Sequence, residues 1–231
     1  MSSVVAIIPC RGGSKGLPGK NIKLFSGKPL LAWTLEQLLN SKKIDEIYVS
    51  SDNKEILDVA SEFGSDTILR PDALAADTSS SESVWLHAIE FLDLDKDTVI
   101  IAPQVTSPLR LKEDFSNALD QFTLENNDSL FSCSPFEDIC LWSKSGNEAN
   151  PKPVNFNYRN RSRRQELDMQ IVENGSFYIF RAGNFKEEKN RIFGKVGFFM
   201  MKQWQVFEID DYESFLLCEN LMKYFVIGEE K

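Results

Sequence analysis

Val4-Val5-Ala6-Ile7-Ile8, followed by Pro9-Cys10-Arg11-Gly12-Gly13-Ser14-Lys15-Gly16-Leu17-Pro18-Gly19-Lys20-Asn21, decides the fold. The first five residues form a continuous apolar run, the pattern of a strand buried on both faces. The stretch after it holds four glycines, Pro18 and the cations Arg11, Lys15 and Lys20, and reads as a loop. Pro29 then opens an amphipathic helix from Leu30 to Leu39, because proline's missing N–H costs nothing in a first helical turn.

The same alternation continues outward from this unit. Ile44 to Ser51 reads as a strand, and Asp52 as the cap of a helix from Glu55 to Phe63 that Gly64 ends. A short strand at Thr67-Ile68-Leu69 and a helix from Ser80 to Leu92 follow. Next come a buried strand from Thr98 to Ala102, a helix from Glu113 to Phe122 and a strand from Ser129 to Ser134. Strands alternating with helices argue for βαβ units, hence an α/β fold with a mainly parallel, Rossmann-like sheet flanked by helices. From Pro135 the pattern breaks into a polar excursion, about residues 135–175, with Pro151, Pro153 and an arginine run. Ser176 to Phe180 and Val206 to Ile209 read as further strands, and Tyr212 to Tyr224 as a closing helix. The 231 residues fit one α/β domain, 1–231, since such domains run to roughly 200–250 residues.

Composition sets outer bounds. The chain is 42% hydrophobic, which excludes a disordered polar chain, and no apolar run approaches the ~20 residues of a membrane span. The N-terminus lacks a basic region before its short apolar run, so the expectation is a cytoplasmic protein with no membrane partner. Cys10, Cys133, Cys140 and Cys218 form no C-x-x-C pair, and His87, the single histidine, sits in a helical apolar pattern. A zinc site, a disulfide framework and a Cys–His nucleophile are therefore not expected. The net charge of −9 speaks against wholesale nucleic-acid binding, which needs a basic face. Cations are nevertheless concentrated from Arg11 to Lys28 and at Arg159, Arg161, Arg163 and Arg164.

In open α/β sheets ligands bind beyond the carboxyl ends of the strands, where the Arg11–Asn21 loop must lie. Its glycines let backbone N–H groups approach an anion, and Arg11, Lys15 and Lys20 supply charge, so the loop reads as a polyphosphate cradle. It is not a P-loop, because five residues separate Gly13 from Gly19 and Lys20 is followed by Asn21. Glycines at 12, 13, 16 and 19 also fail the dinucleotide fingerprint.

R-G-G-S-K-G-L-P-G-K-N after a strand resembles the first loop of the CMP-N-acylneuraminate synthetases, cytidylyltransferases that activate sialic-acid-type sugars. Further segments match in the family's order. They are Leu69-Arg70-Pro71, Leu74 to Thr78, Gln104 to Arg110, Arg163-Arg164-Gln165, Glu173 to Tyr178 and Glu208-Ile209-Asp210. CMP-Kdo synthetases and sugar-phosphate nucleotidyltransferases fit the first loop less well.

The resemblance implies a nucleotidyltransferase fold and transfer of CMP from CTP to the anomeric 2-hydroxyl of an acidic nine-carbon keto sugar such as N-acetylneuraminate. Legionaminate, pseudaminate, Kdn or Kdo are the alternative acceptors, and a non-catalytic nucleotide-binding module is the remote one. It further implies that Arg11, Lys15 and Lys20 hold the triphosphate, with Lys20 nearest the α-phosphate, and that Gly12, Gly13 and Ser14 belong to the nucleotide loop. Asn21 would contact ribose, and Arg70 and Ser81 the base, with Asp77 nearby. Gln104, Arg164, Asn174 and Tyr178 would face the acceptor sugar. Asp210 and Glu208 would hold Mg²⁺, both on one face if the segment is a strand, with Asp211 as a substitute. A homodimer is implied, with the excursion as the dimerisation lobe. Phe193, Phe198 and Phe199 would serve either that interface or the core. Three departures stand out: Glu208 replaces an Asp, Val105 replaces a proline, and Asp138 to Trp142 replaces a His-Pro element.

Overall fold

The structure is a computed structural model that describes every residue except 1, 15, 77, 137–138, 147–148, 164, 166–167 and 229–231. Seven strands build the main sheet: β1 (Val4–Pro9), β2 (Glu46–Ser51), β3 (Asp66–Leu69), β4 (Val99–Pro103), β5 (Ser129–Pro135), β6 (Ile171–Arg181) and β7 (Val196–Met200). Their order across the sheet is β7-β5-β6-β4-β1-β2-β3. β1 pairs in parallel with β2 and β4, β2 with β3, and β7 with β5, whereas β6 runs antiparallel to β4 and β5. The sheet is thus mainly parallel, with one reversed strand.

Six helices cover it: α1 (Leu30–Leu39), α2 (Lys54–Glu62), α3 (Ser81–Phe91), α4 (Asp114–Leu124), α5 (Ala182–Glu188) and α6 (Tyr212–Leu221). The apolar run of β1 feeds both faces, because successive side chains of a strand point opposite ways. Ala6 and Ile8 join one core with Leu31 and Leu35 of α1, Ile56 of α2, Phe115 of α4 and Phe215 of α6. Val5 and Ile7 join the other with Trp85 of α3 and Phe185 of α5.

Four expectations change. The last strand is not Val206–Ile209. Gln203–Val206 is a single 3₁₀ turn, and β7 lies earlier, at Val196–Met200. β7 has a glycine in its interior, where a Cβ on Gly197 would meet the Asn127 amide at 2.1 Å, so its sequence carries little strand signature. β6 is longer than Ser176–Phe180, beginning at Ile171 and bearing a register shift between Glu173 and Tyr178. α2 is capped by Asn53, whose side chain accepts from the Ile56 N–H, because Asp52 is engaged elsewhere. The closing helix leaves α geometry at Met222 and continues as a π-turn to Ile227.

In the excursion, Trp142–Ser143 and Lys152–Pro153 form a two-stranded ribbon. The Trp142 ring packs on Phe156 and Tyr158, while Arg159 and Arg161 lie over the Tyr158 and Phe156 rings. Phe198 is exposed on the edge strand β7, whereas Phe199 packs on the first core and Phe193 on the second.

Candidate active site

A cleft of about 390 Å³ opens at the carboxyl ends of β1, β3 and β4. The first loop forms one wall with Arg11, Ser14, Gly16, Lys20 and Asn21. Arg70 after β3 and Ser79, Ser80 and Ser81 at the start of α3 form a second, and Gln104, Val105 and Thr106 after β4 a third. Asp210 closes the remaining side.

The first loop is folded against the segment before α6. The Lys20 Nζ donates to the Ile209 carbonyl at 2.7 Å and lies 3.4 Å from the Asp210 carboxylate. Gly16 makes this approach possible, since a Cβ there would sit 2.1 Å from the Asp210 carbonyl oxygen. Asn21 is buried and its amide donates to the Arg11 carbonyl at 3.0 Å, bracing the loop from inside. Gly12 and Gly13 shape the loop without lining the cleft, and the Gly12 N–H donates to Asp52 at 3.1 Å. Lys15, Asp77 and Arg164 lie outside the described residues.

Glu208 and Asp210 are not carried on a strand, so the alternation argument does not place them. They are neighbours nonetheless. The Glu208 carboxyl is pushed up from the ordinary carboxylate value, first by loss of surrounding solvent and then by the Asp210 charge, with Lys20 opposing, although its side chain still reaches the surface. Gly175, at φ +62, faces this group. A Cβ there would lie 3.5 Å from Glu208 Oε2, 3.8 Å from Gln104 Oε1 and 3.8 Å from Ser107 Oγ. The Asp211 carboxylate caps α6, accepting from the Ser214 N–H at 2.8 Å. The hydrogen bonds from Ser214 hold its pKa down.

A model of the family described as cytidylyltransferase matches residues 5–230. The chain belongs to the cytidylyltransferase family. It is 35% identical over 233 residues to an N-acylneuraminate cytidylyltransferase of Oncorhynchus mykiss, covering 99% of this chain and 52% of the relative. It therefore spans about half the length of that relative. A pseudaminic acid cytidylyltransferase of Campylobacter jejuni is 34% identical over 80% of this chain and 81% of its own. A CMP-N,N'-diacetyllegionaminic acid synthase of Legionella pneumophila is 36% identical over 81% and 82%. Among solved structures, a CMP:2-keto-3-deoxy-manno-octonic acid synthetase complexed with CTP superposes with a TM-score of 0.73 at 16% identity. That match covers 96% of this chain and 99% of the other, and it establishes the shared cytidylyltransferase fold.

Within this chain, two residues matched to the sugar side are turned inward. Asn174 is buried, accepting from Ser132 Oγ at 2.7 Å and donating to Ser134 Oγ at 3.1 Å. Tyr178 is buried in the second core beside Trp85, and its hydroxyl donates to the Glu173 carboxylate. Burial first, then that hydrogen bond, push its pKa up. Gln104 does line the cleft. Val105, standing where the family has proline, is buried at the cleft wall. His87 stacks on Phe91 of its own helix and does not line the cleft.

Arg110 and Asp52 organise the site although neither lines the cleft. Arg110 is fully buried. It donates to the Gln104 and Ser176 carbonyls, to Ser176 Oγ at 2.8 Å, and to Thr34 Oγ1 and Gln37 Oε1 at 3.1 Å each. One guanidinium thereby fixes the β4–α4 turn to β6 and α1. Burial pulls its pKa down to about 9, with Asp114 opposing. Asp52 receives both the Gly12 N–H and the Arg70 guanidinium. Its place directly after a parallel strand was the available sequence signal, since such positions border the ligand crevice.

Proposed function

We propose that this chain transfers CMP from CTP to the anomeric 2-hydroxyl of a nonulosonic acid such as N-acetylneuraminate, releasing pyrophosphate. The observation that carries the reading is Lys20, held on the Ile209–Asp210 segment at the mouth of a cleft that Arg11, Arg70 and Gln104 also line. The acid's hydroxyl oxygen bonds the α-phosphorus, and the bond to the oxygen bridging to the β-phosphate breaks. Little covalent chemistry falls to the protein, so positioning and charge stabilisation carry the rate. Lys20 and Arg11 offer the cations for the phosphates. Arg70 and Ser81, on the opposite wall, offer the nucleoside a seat. Gln104 is the acceptor-side group in the cleft.

The donors present suit Mg²⁺, which takes one or two carboxylates and completes its shell with water and substrate phosphate. Asp210 and Glu208 are such a pair: burial first, and then the Asp210 charge, raise the Glu208 pKa, and a dication would relieve the second of these. Among the described residues no cluster of three His, Cys, Asp or Glu forms a fuller cage. Mg²⁺ held there would neutralise charge developing on the phosphates.

We extend the proposal to one domain over residues 1–231 that works as a homodimer in the cytoplasm. The ribbon with exposed Trp142 supports the dimer and four free cysteines support the compartment. A second reading, the same reaction on pseudaminate or legionaminate, is favoured by relatives carrying those names at similar identity. Pyrophosphate release with CTP and Mg²⁺ is measured on N-acetylneuraminate, legionaminate, pseudaminate, Kdn and Kdo separately. Release with one acid fixes the acceptor. Silence with all five, while CTP still binds, refutes the transferase reading for these acids.

A further inference from the structure

We infer that Asp52 is a positioning residue of the nucleotide site, locking Arg70 and the first loop into one fixed relation before CTP arrives. The inference rests on the functional reading above. Asp52 does not line the cleft and acts through groups that belong to it. Its Oδ1 accepts from the Gly12 N–H at 3.1 Å and from Arg70 Nη2 at 3.4 Å. The Arg70 N–H donates to the Ser51 carbonyl at 2.9 Å. Next to it, Asn53 caps α2, and its Cβ lies 2.9 Å from where a Gly12 side chain would begin. The ends of β1, β2 and β3 are therefore tied together at a single carboxylate.

The electrostatics ask for such a tie. The Arg70 side chain is only 3% exposed, and Arg11 is a like charge nearby. Burial lowers the Arg70 pKa and Asp52 is the strongest influence holding it up. Arg70 Nε is buried and has no hydrogen-bond partner among the described residues, although Arg70 lines the cleft. A guanidinium fixed in advance loses less freedom on binding, which appears as affinity.

CTP binding is measured by calorimetry with Mg²⁺ for the wild type, Asp52→Ala, Arg70→Ala and the double variant, together with melting temperature and steady-state kinetics. Asp52→Ala is expected to weaken CTP by about tenfold or more, the scale of a hydrogen bond to a charged group. The double variant should lose clearly less than the sum of the two single losses, since coupled residues are not additive. KM for CTP should rise while KM for the acid stays unchanged, a split that general loss of structure does not produce. Where Asp52→Ala melts far below the wild type, Asp52→Asn replaces it under the same criteria. CTP affinity unchanged by loss of the carboxylate, or fully additive losses, overturns the inference alone. No CTP binding by the wild type overturns the functional reading and the inference with it.

Discussion

Lys20 Nζ sits between two oxygens of one short segment, the Ile209 carbonyl at 2.7 Å and the Asp210 carboxylate at 3.4 Å, with its side chain 14% exposed. A cation so held keeps its direction at little entropic cost when phosphates enter. Lys20→Ala should therefore lower kcat by about 10²-fold or more, the usual scale for one preorganised transition-state donor. Turnover within a few-fold of wild type in a pyrophosphate assay would refute that role. Lys20, Asn21 and Arg11 were legible in the sequence because they share one short glycine-rich loop whose location follows from the strand before it. Asn174 and Tyr178 were not, because whether a β6 side chain faces the cleft or the core depends on the register shift between Glu173 and Tyr178. Asp52 reads as a helix cap because an Asp before a helix is locally indistinguishable from one turned to a neighbouring loop.

At the scale of elements, one loop is seated on backbone and one turn on a single buried side chain. The first loop rests on the Asp210 carbonyl through Gly16, where a Cβ would come within 2.1 Å of that oxygen. Gly16→Ala should displace the Lys20 segment and raise KM for CTP while leaving the melting temperature within a few degrees, since the loop is on the surface. A variant with normal CTP kinetics would disprove the seating argument. The β4–α4 turn rests on Arg110, whose guanidinium serves the Gln104 and Ser176 carbonyls and three side-chain oxygens. Arg110→Ala orphans several buried acceptors, at about 1–3 kcal/mol each before water enters. A loss near 3 kcal/mol lowers Tm by about 6–12 °C in a chain of this size, a shift calorimetry reads directly. The alternation that revealed these strands and helices could not reveal that β6 is reversed, because period and burial are the same in either direction. β7 is illegible for a different reason, since Gly197 interrupts the side-chain pattern where Asn127 needs room.

Across the whole molecule, two cores flank one sheet, and Cys10 and Cys218 both belong to the first of them. Cys10, Cys133 and Cys218 are buried, whereas Cys140 is exposed on the excursion. Burial pushes the thiols of Cys10 and Cys218 up to about 12 and that of Cys133 up to about 11. Thiolate is the reactive form, so these three are doubly protected at mild alkaline pH, by access and by ionisation. Cys10 is protected despite the nearby Arg70 cation, which lowers its pKa less than burial raises it. The native protein at pH 8 should therefore show one fast-reacting thiol toward an aromatic disulfide reagent, assigned to Cys140 by its loss in Cys140→Ser. The remaining three should react at the rate of unfolding, and all four should react at once in denaturant. A second fast equivalent in the native state would mean that a buried region opens locally, and peptide mapping of the labelled cysteine would say where. Cys10 is the informative case, because it lies directly before Arg11 at the base of the cleft. Slowing of its residual labelling by CTP, with Cys218 labelling unchanged, would place the nucleotide's stabilising effect at the first loop rather than on the fold as a whole.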